Sequence, residues 1–384
     1  MSEQIRIKTV LMRGGSSKGV FIESADVPKD PAARERFVLA LFGSPDKRQI
    51  DGLGGSDYLT SKCAIMGPPT RDDADIDYTM AQVSVEHPIV SFDTNCGNLS
   101  AACGLYAIEE GYVPAAGPET LVRVHNTNTG KILLIRVPIE AGAPKIEGGF
   151  AIDGVPGTGA EIRLDFSLTA GAATGQLLPT GAATAPIDLA TLGRTIDVSV
   201  VDIANPCVFI RAADIGLTGA EAPADVPRQT LAVLEEIRAR SAALSGIKSY
   251  LLPFQVIVGP PVDYKEYLSK RDVSASDVDL VARLFVEGIM HKAYAGTGAT
   301  CLASAARIRG TVVNDVCRPR PDLAPIRIGH TSGVLPIVAR VSEDGGGGWK
   351  VVEANFSRTA RRIMEGHAFI RKSLLFVKSL DDAA

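Results

Sequence analysis

The sequence predicts an α/β protein of the α+β kind, built as two pseudo-duplicated domains, and three observations carry that prediction. Apolar residues recur mostly with a period of two, so strands dominate. Helical patterns are few and do not alternate with strands as βαβ units would, which disfavours a doubly wound sheet. Each half repeats one order: strands, a glycine-containing turn, then a short Ala-rich helix, at Thr94–Gly104 and again at Ala295–Ala305. Gly, Ala, Thr and Pro concentrate over Thr180–Thr191, so the expected domains are 1–184 and 185–384, with the final segment free to return to the first.

Strict alternation marks Ile5–Val10, Ile76–Val85, Leu121–His125 and Ile196–Val201 as half-buried strands. Cys63–Met66 and Ile132–Val137 are more continuously apolar and read as buried strands. Phe254–Val258, Ile326–Ile328, Ile337–Val341 and Trp349–Val352 complete the strand set. Helices are expected at Pro31–Leu41, which opens on a proline, at Leu99–Glu110, which ends at Gly111, and at Thr230–Ser245, which ends near Gly246. Ser276–His291 places Leu280, Leu284, Phe285, Gly288 and Ile289 on one helical face, and Ala299–Ile308 is Ala-rich.

Of the 384 residues 46% are hydrophobic and 22% charged, which excludes disorder as the main state. The net charge of −4 with scattered Lys and Arg argues against a nucleic-acid partner. The nearly uncharged stretch Phe166–Leu192 is broken by Gly, Thr and Pro, so no membrane helix is expected. Six separated cysteines and no leader-like start read as reduced thiols of a cytoplasmic protein. No Cys or His spacing suits a metal, so no metal is expected.

Four segments carry chemistry. In Met12–Phe21 a strand enters a Gly-Gly turn, where backbone amides with Arg13, Ser16 and Ser17 can bind an anion; the same residues suit a plain hairpin. In Asp51–Ile65 a Gly-rich loop delivers Ser61 and Lys62 to the head of an apolar strand. Burial there disfavours the charged lysine and suits it to act as a general base, unless it reaches out to water. Asn95-Cys96-Gly97-Asn98 stands directly before an Ala-rich helix, whose free N–H groups favour a thiolate and suit a substrate carboxylate; a buried structural cysteine is the rival reading. Gly296-Thr297-Gly298 opens the second Ala-rich helix, with Thr297 placed where the first half has Cys96. Arg358 and Arg361 read as surface charges sharing a helical face, and His330 as a core or turn residue.

MRGGSSKGVF, DGLGGSDYLTSK and NCGNLSAACG, occurring in this order, resemble the 2-methylaconitate isomerase (PrpF-type) family of the diaminopimelate-epimerase-like superfamily. GSPDKRQIDG, Pro179-Thr180-Gly181, GHTSG at Gly329–Gly333 and SRTAR at Ser357–Arg361 extend the likeness along nearly the whole chain, with Gly193–Val273 the looser part. Two departures are mild: Ser16 stands where the family usually has Thr, and Cys63 where it has a small or β-branched apolar residue.

The resemblance implies two similar domains, each a curved, mostly antiparallel sheet wrapped around a central helix, with the active site between them. It implies Lys62 and Cys96 as catalytic residues. It places Ser16, Ser17, Asn95, Gly97, Asn98, Leu99, Gly296, Thr297, Ser332 and Gly333 on substrate-binding loops. The implied activity is a cofactor-independent 1,3-allylic proton shift in an unsaturated di- or tricarboxylic acid such as 2-methylaconitate. The alternatives are a 4-oxalomesaconate tautomerase and a methylitaconate Δ-isomerase. With Thr297 in place of a second cysteine, two-thiol racemisation is disfavoured. An accessory protein to a dehydratase would keep the fold without needing Lys62. The partner expected is a small polycarboxylate, and a homodimer is allowed.

Overall fold

The computed structural model describes residues 3–375. The chain forms two compact units. The first comprises residues up to Phe150, Thr158–Ile162 and the chain from Arg358 onward; the second comprises Ala151–Gly157 and Arg163–Ser357. The division thus falls earlier than the expected boundary at 184. The Gly/Pro-rich stretch around Thr180 lies inside the second unit. The chain from Arg358 joins the first unit because Ala360–Arg371 pairs along the whole of the N-terminal strand.

In the first unit the strands are β1 (Gln4–Gly14), β2 (Ser17–Glu23), β3 (Lys62–Gly67), β4 (Ile76–Val83), β5 (Glu119–Asn126) and β6 (Lys131–Glu140). Their order across the sheet is Ala360–Arg371, β1, β2, β3, β4, β5, β6. The successive pairings are antiparallel, antiparallel, parallel, antiparallel, parallel and antiparallel. Helix α1 (Pro31–Phe42) lies between β2 and β3 in the chain. Asp30 caps it by accepting the Ala33 N–H at 2.8 Å, Pro31 opens it, and left-handed Gly43 ends it. Helix α2 (Gly97–Glu109) lies between β4 and β5 and is buried from Gly97 to Ile108. It touches strands at both margins of the sheet, so the sheet curls around it. Small residues permit that. A Cβ at Gly104 would stand 2.7 Å from Ile135 Cγ2.

The second unit repeats this plan. Its strands are β7 (Ala185–Leu189), β8 (Arg194–Val201), β9 (Cys207–Arg211), β10 (Phe254–Gly259), β11 (Leu280–Val286), β12 (Ile326–His330) and β13 (Gly333–Glu343). They lie side by side in that order, with the same succession of antiparallel and parallel pairings as the first unit. Helix α3 (Arg228–Ser245) lies between β9 and β10, as α1 does between β2 and β3. The buried helix α4 (Gly296–Arg307) lies between β11 and β12, as α2 does between β4 and β5. The duplication read from the sequence is therefore a duplication of topology.

Two expectations are corrected. Ser276–His291 is not a helix. Leu280–Val286 is a strand whose seven residues are all buried, followed by a turn with positive φ at Glu287 (53°) and Gly288 (71°) and the short strand Ile289–Met290. A continuous apolar run fits a strand covered on both faces as well as one side of a helix. Arg283 also survives inside it, because its guanidinium donates to the carbonyls of Ala220, Glu221, Ala282 and Gly329. Arg358 and Arg361 lie on strands, Trp349–Arg358 and Ala360–Arg371, and Arg358 is buried rather than a surface charge. Among the described residues no helix is long and apolar enough to cross a membrane.

Candidate active site

In the first unit the motif residues converge on the N-terminal end of α2. Strands β1 and β2 form a two-residue hairpin over Gly15-Ser16, with Gly14 paired to Ser17. Gly15 has φ +52°, the positive value that the first position of a II′ turn requires. The hairpin sits tightly against α2. A Cβ at Gly14 would lie 2.5 Å from the Asn98 carbonyl oxygen, and one at Gly15 would lie 2.3 Å from Asn98 Oδ1. The Gly-Gly pair thus permits a backbone-to-helix approach that any side chain would block.

Arg13 braces this turn, its Nη1 donating to the carbonyls of Gly15 at 3.0 Å and Thr359 at 2.9 Å. The Ser16 hydroxyl oxygen is buried and has no hydrogen-bond partner among the described residues. Ser17 Oγ lies 3.7 Å from Cys96 Sγ. Cys96 is the N-cap of α2, and its sulfur accepts the Leu99 N–H at 3.4 Å. The preceding residue, Asn95, accepts the Ser100 hydroxyl at 3.1 Å. First-turn amides of a helix have no carbonyl to pair with inside the helix, so the start of α2 at Gly97 is a positive dipole end.

Lys62 is the first residue of β3 and only 3% exposed. It does not reach out to water. Its Nζ donates to Gln82 Oε1, the residue directly opposite on β4, and stands 4.3 Å from the centroid of the Tyr58 ring. Burial pushes the Lys62 ammonium below the ordinary lysine range; the charges of Cys96 and Asp57 pull it back without cancelling that push. The neighbouring thiols stay protonated: burial drives both Cys63 and Cys103 well above the usual thiol range. Ser61 Oγ donates to Gln49 Oε1 at 2.8 Å, and the same oxygen accepts the Ser56 N–H at 2.8 Å. Ser61 and Gln49 therefore fix the loop that presents Lys62.

Sequence reasoning passed over two residues of this cluster and misread a third as a surface charge. Gln82 and Gln49 are polar residues inside segments otherwise read as strand and loop. Arg358 is buried beside α2, with its Nε donating to Asn98 Oδ1 at 2.7 Å, and desolvation pushes its guanidinium down to about 9.

In the second unit Gly296 and Thr297 are the first two residues of α4. The helix cap is Ala295, whose carbonyl accepts the Ala299 N–H, as the Cys96 carbonyl accepts the Ser100 N–H in α2. By helix register, then, Ala295 rather than Thr297 stands where Cys96 does, and Thr297 matches Asn98. Thr297 Oγ1 accepts from Asn205 Nδ2 at 3.0 Å. The strand matching β3 begins with Phe254, so the duplicate has neither the lysine nor the capping thiol. Thr331 and Ser332 form the turn between β12 and β13, and Gly333, the first residue of β13, pairs with His330. That turn is stapled to the segment leading into α4: Ser332 Oγ donates to the Lys292 carbonyl and Thr331 Oγ1 to the His291 carbonyl at 3.1 Å. His330 is buried, its Nδ1 accepting the Ser332 N–H at 3.2 Å.

The first unit offers one buried amine, one capping thiol and one helix N-terminus, a set suited to moving a proton on a carboxylate-bearing carbon skeleton. The family model described as "PrpF protein" matches residues 4–371. The chain belongs to the PrpF family. It is an isomerase, and its fold is that of the diaminopimelate-epimerase-like superfamily.

This PrpF-family chain is 49% identical to the 3-methylitaconate isomerase of Eubacterium barkeri, over 98% of this chain and 100% of that protein. It is 38% identical to the (4E)-oxalomesaconate Delta-isomerase of a Novosphingobium strain, over 94% and 96% of the two chains. To the 2-methyl-aconitate isomerase of Shewanella oneidensis it is 36% identical, over 96% and 98%. Among solved structures it resembles a methylitaconate-delta-isomerase, with TM-score 0.80, 47% identity and coverage of 98% and 99%. A hydroxyproline epimerase from Agrobacterium vitis, at TM-score 0.62 and 12% identity over 98% and 94% of the two chains, shares the fold alone.

Proposed function

We propose that the chain catalyses a 1,3-allylic proton shift in an unsaturated dicarboxylic acid of the 3-methylitaconate type, with Lys62 as the base and Cys96 as its partner. The observation that carries the mechanism is Lys62 itself, buried against the Gln82 amide oxygen and the Tyr58 ring, where desolvation pushes its ammonium below the ordinary lysine range. The substrate choice rests on similarity to the Eubacterium barkeri enzyme, which exceeds that to the 2-methylaconitate and oxalomesaconate relatives by more than ten points of identity. Methylitaconate therefore takes the place that the sequence motifs alone gave to 2-methylaconitate.

In such an acid a methylene group is double-bonded to the carbon next to an allylic C–H, and that C–H is α to a carboxylate. The Lys62 amine takes the allylic proton, becoming an ammonium, and the electron pair spreads over the three-carbon unit and the carboxylate as a dienolate. The ammonium then returns a proton to the former methylene carbon. One C–H bond breaks, one forms, and the double bond moves by one position. The α2 amides stabilise the carboxylate charge that grows in the dienolate. Ser17 and the Leu99 N–H hold Cys96 against the same charge. An accessory protein would have no use for a lysine desolvated in this way.

The test is kcat/KM on 3-methylitaconate, 2-methylaconitate and 4-oxalomesaconate, followed by the change in ultraviolet absorbance as the double bond moves. The highest value is expected on 3-methylitaconate. A tenfold preference for either other acid, or no conversion of any, would overturn the reading.

A further inference from the structure

A buried lysine needs a hydrogen-bond acceptor, and the nature of that acceptor decides which protonation state survives. A carboxylate would lock the ammonium. Lys62 has instead two uncharged partners, the Gln82 amide oxygen and the face of the Tyr58 ring. The orientation of the Gln82 amide follows from its other end. Nε2 donates toward the carbonyls of Ser61 at 3.1 Å, Tyr58 at 3.3 Å and Val83 at 3.4 Å. A flipped amide would set its oxygen against three carbonyls and its NH₂ against Nζ. The oxygen must therefore face the lysine.

We propose that Gln82 is the positioning residue of the proton-transferring lysine, its neutral amide oxygen holding Nζ while leaving the lone pair of the amine open to a substrate C–H. This rests on the reading of Lys62 as the base. A neutral amine keeps two N–H bonds and one lone pair. Gln82 Oε1 takes one N–H and the Tyr58 ring face suits the other, so the lone pair points elsewhere. The ammonium formed by proton transfer keeps the same two contacts and gains a third hydrogen to return. The pairing of Lys62 with Gln82 across β3 and β4 fixes this geometry in the sheet itself.

The titratable groups facing Lys62 are few. Asp57 and Tyr58 come from the loop before β3, and Cys96 from the cap of α2. Cys63, next on β3, and Tyr78, on β4, are kept neutral by burial. Strand β2 places Gly19 opposite Lys62. The contacts at Nζ are made by the Gln82 amide oxygen and the Tyr58 ring face, so the character of residue 82 sets the contact.

The test compares Gln82→Glu and Gln82→Met by two readouts. One is the pH dependence of kcat. The other is direct titration of Lys62 in protein labelled with ¹⁵N-lysine, its signal assigned by its loss in Lys62→Met. Gln82→Glu is expected to move both midpoints up by about one to three pH units and to lower kcat near neutrality on the order of tenfold or more, with KM little changed. Gln82→Met removes an acceptor of the charged form and is expected to move both midpoints down, so the two substitutions act in opposite directions. A merely structural role would lower stability without that opposition. If Gln82→Glu does not fold, the downward shift in Gln82→Met still decides. Unmoved titration midpoints overturn the positioning role whatever the substrate. Midpoints that move while the rate profile stays put remove Lys62 as the base, and the proposal falls with that reading.

Discussion

Replacing Gly15 by alanine tests whether the glycine pair exists to let the hairpin meet α2. Two costs are separable. An alanine at φ +52° carries the penalty of a left-handed backbone, about 1–2 kcal/mol. Its Cβ would also lie 2.3 Å from Asn98 Oδ1 and 2.8 Å from Arg358 Cδ, which forces apart the 2.7 Å hydrogen bond between those residues. Losing a buried bond from a charged donor costs about 1.5–3 kcal/mol, which brings the total to roughly 3–5 kcal/mol. For a unit of this size that lowers the melting temperature by roughly 6–20 °C. Gly130 provides the control. It has φ +66° in the same unit, and a Cβ there meets nothing within 4 Å, so Gly130→Ala carries the backbone penalty alone. Calorimetric melting of both variants isolates the contact. The KM of Gly15→Ala should rise as well, because Asn98 is displaced. A Gly15→Ala protein that melts no lower than Gly130→Ala would refute the argument.

Cys96→Ala should lower kcat on the order of 10²-fold and change KM less, because the α2 amides remain; steady-state kinetics showing the reverse split would assign Cys96 to binding instead. Activity should also rise with pH. The Lys62 amine must be unprotonated to take a proton, and burial lowers its pKa, so the rising limb should be centred below 10.5, the ordinary lysine value. A limb centred at or above that value, or one that persists in Lys62→Met, would exclude the lysine.

The sequence exposed those parts of the site that depend on local patterning. Lys62 is legible because KCAIM places a cation at the head of an apolar run, and Cys96 because a helix pattern begins directly after it. Gln82 is not legible, because its meaning arises from cross-strand pairing with a residue twenty positions away. Arg358 was misread for a related reason. Its spacing from Arg361 suits a helix, whereas the chain turns there between two strands and buries the guanidinium against α2. Leu280–Val286 shows the limit of periodicity, since a strand covered on both faces has no period to read. The order β-β-α-β-β-α-β-β, shared by β1 to β6 and β8 to β13 with their helices, emerges only once that segment is a strand. It then shows that the second copy carries Phe254 and Ala295 in place of the lysine and the capping thiol. The absence of a second proton-handling pair at those positions favours a shift run by one base over a two-thiol racemisation.

If Lys62 removes the allylic proton, hydrogen exchange measures that step directly. Incubated in deuterium oxide with 3-methylitaconate, the wild-type protein should place deuterium at the allylic carbon of recovered substrate, read by proton NMR. Lys62→Met, folded as judged by circular dichroism, should slow that exchange by about 10²–10⁴-fold. Exchange in Lys62→Met within a few-fold of wild type would contradict the account.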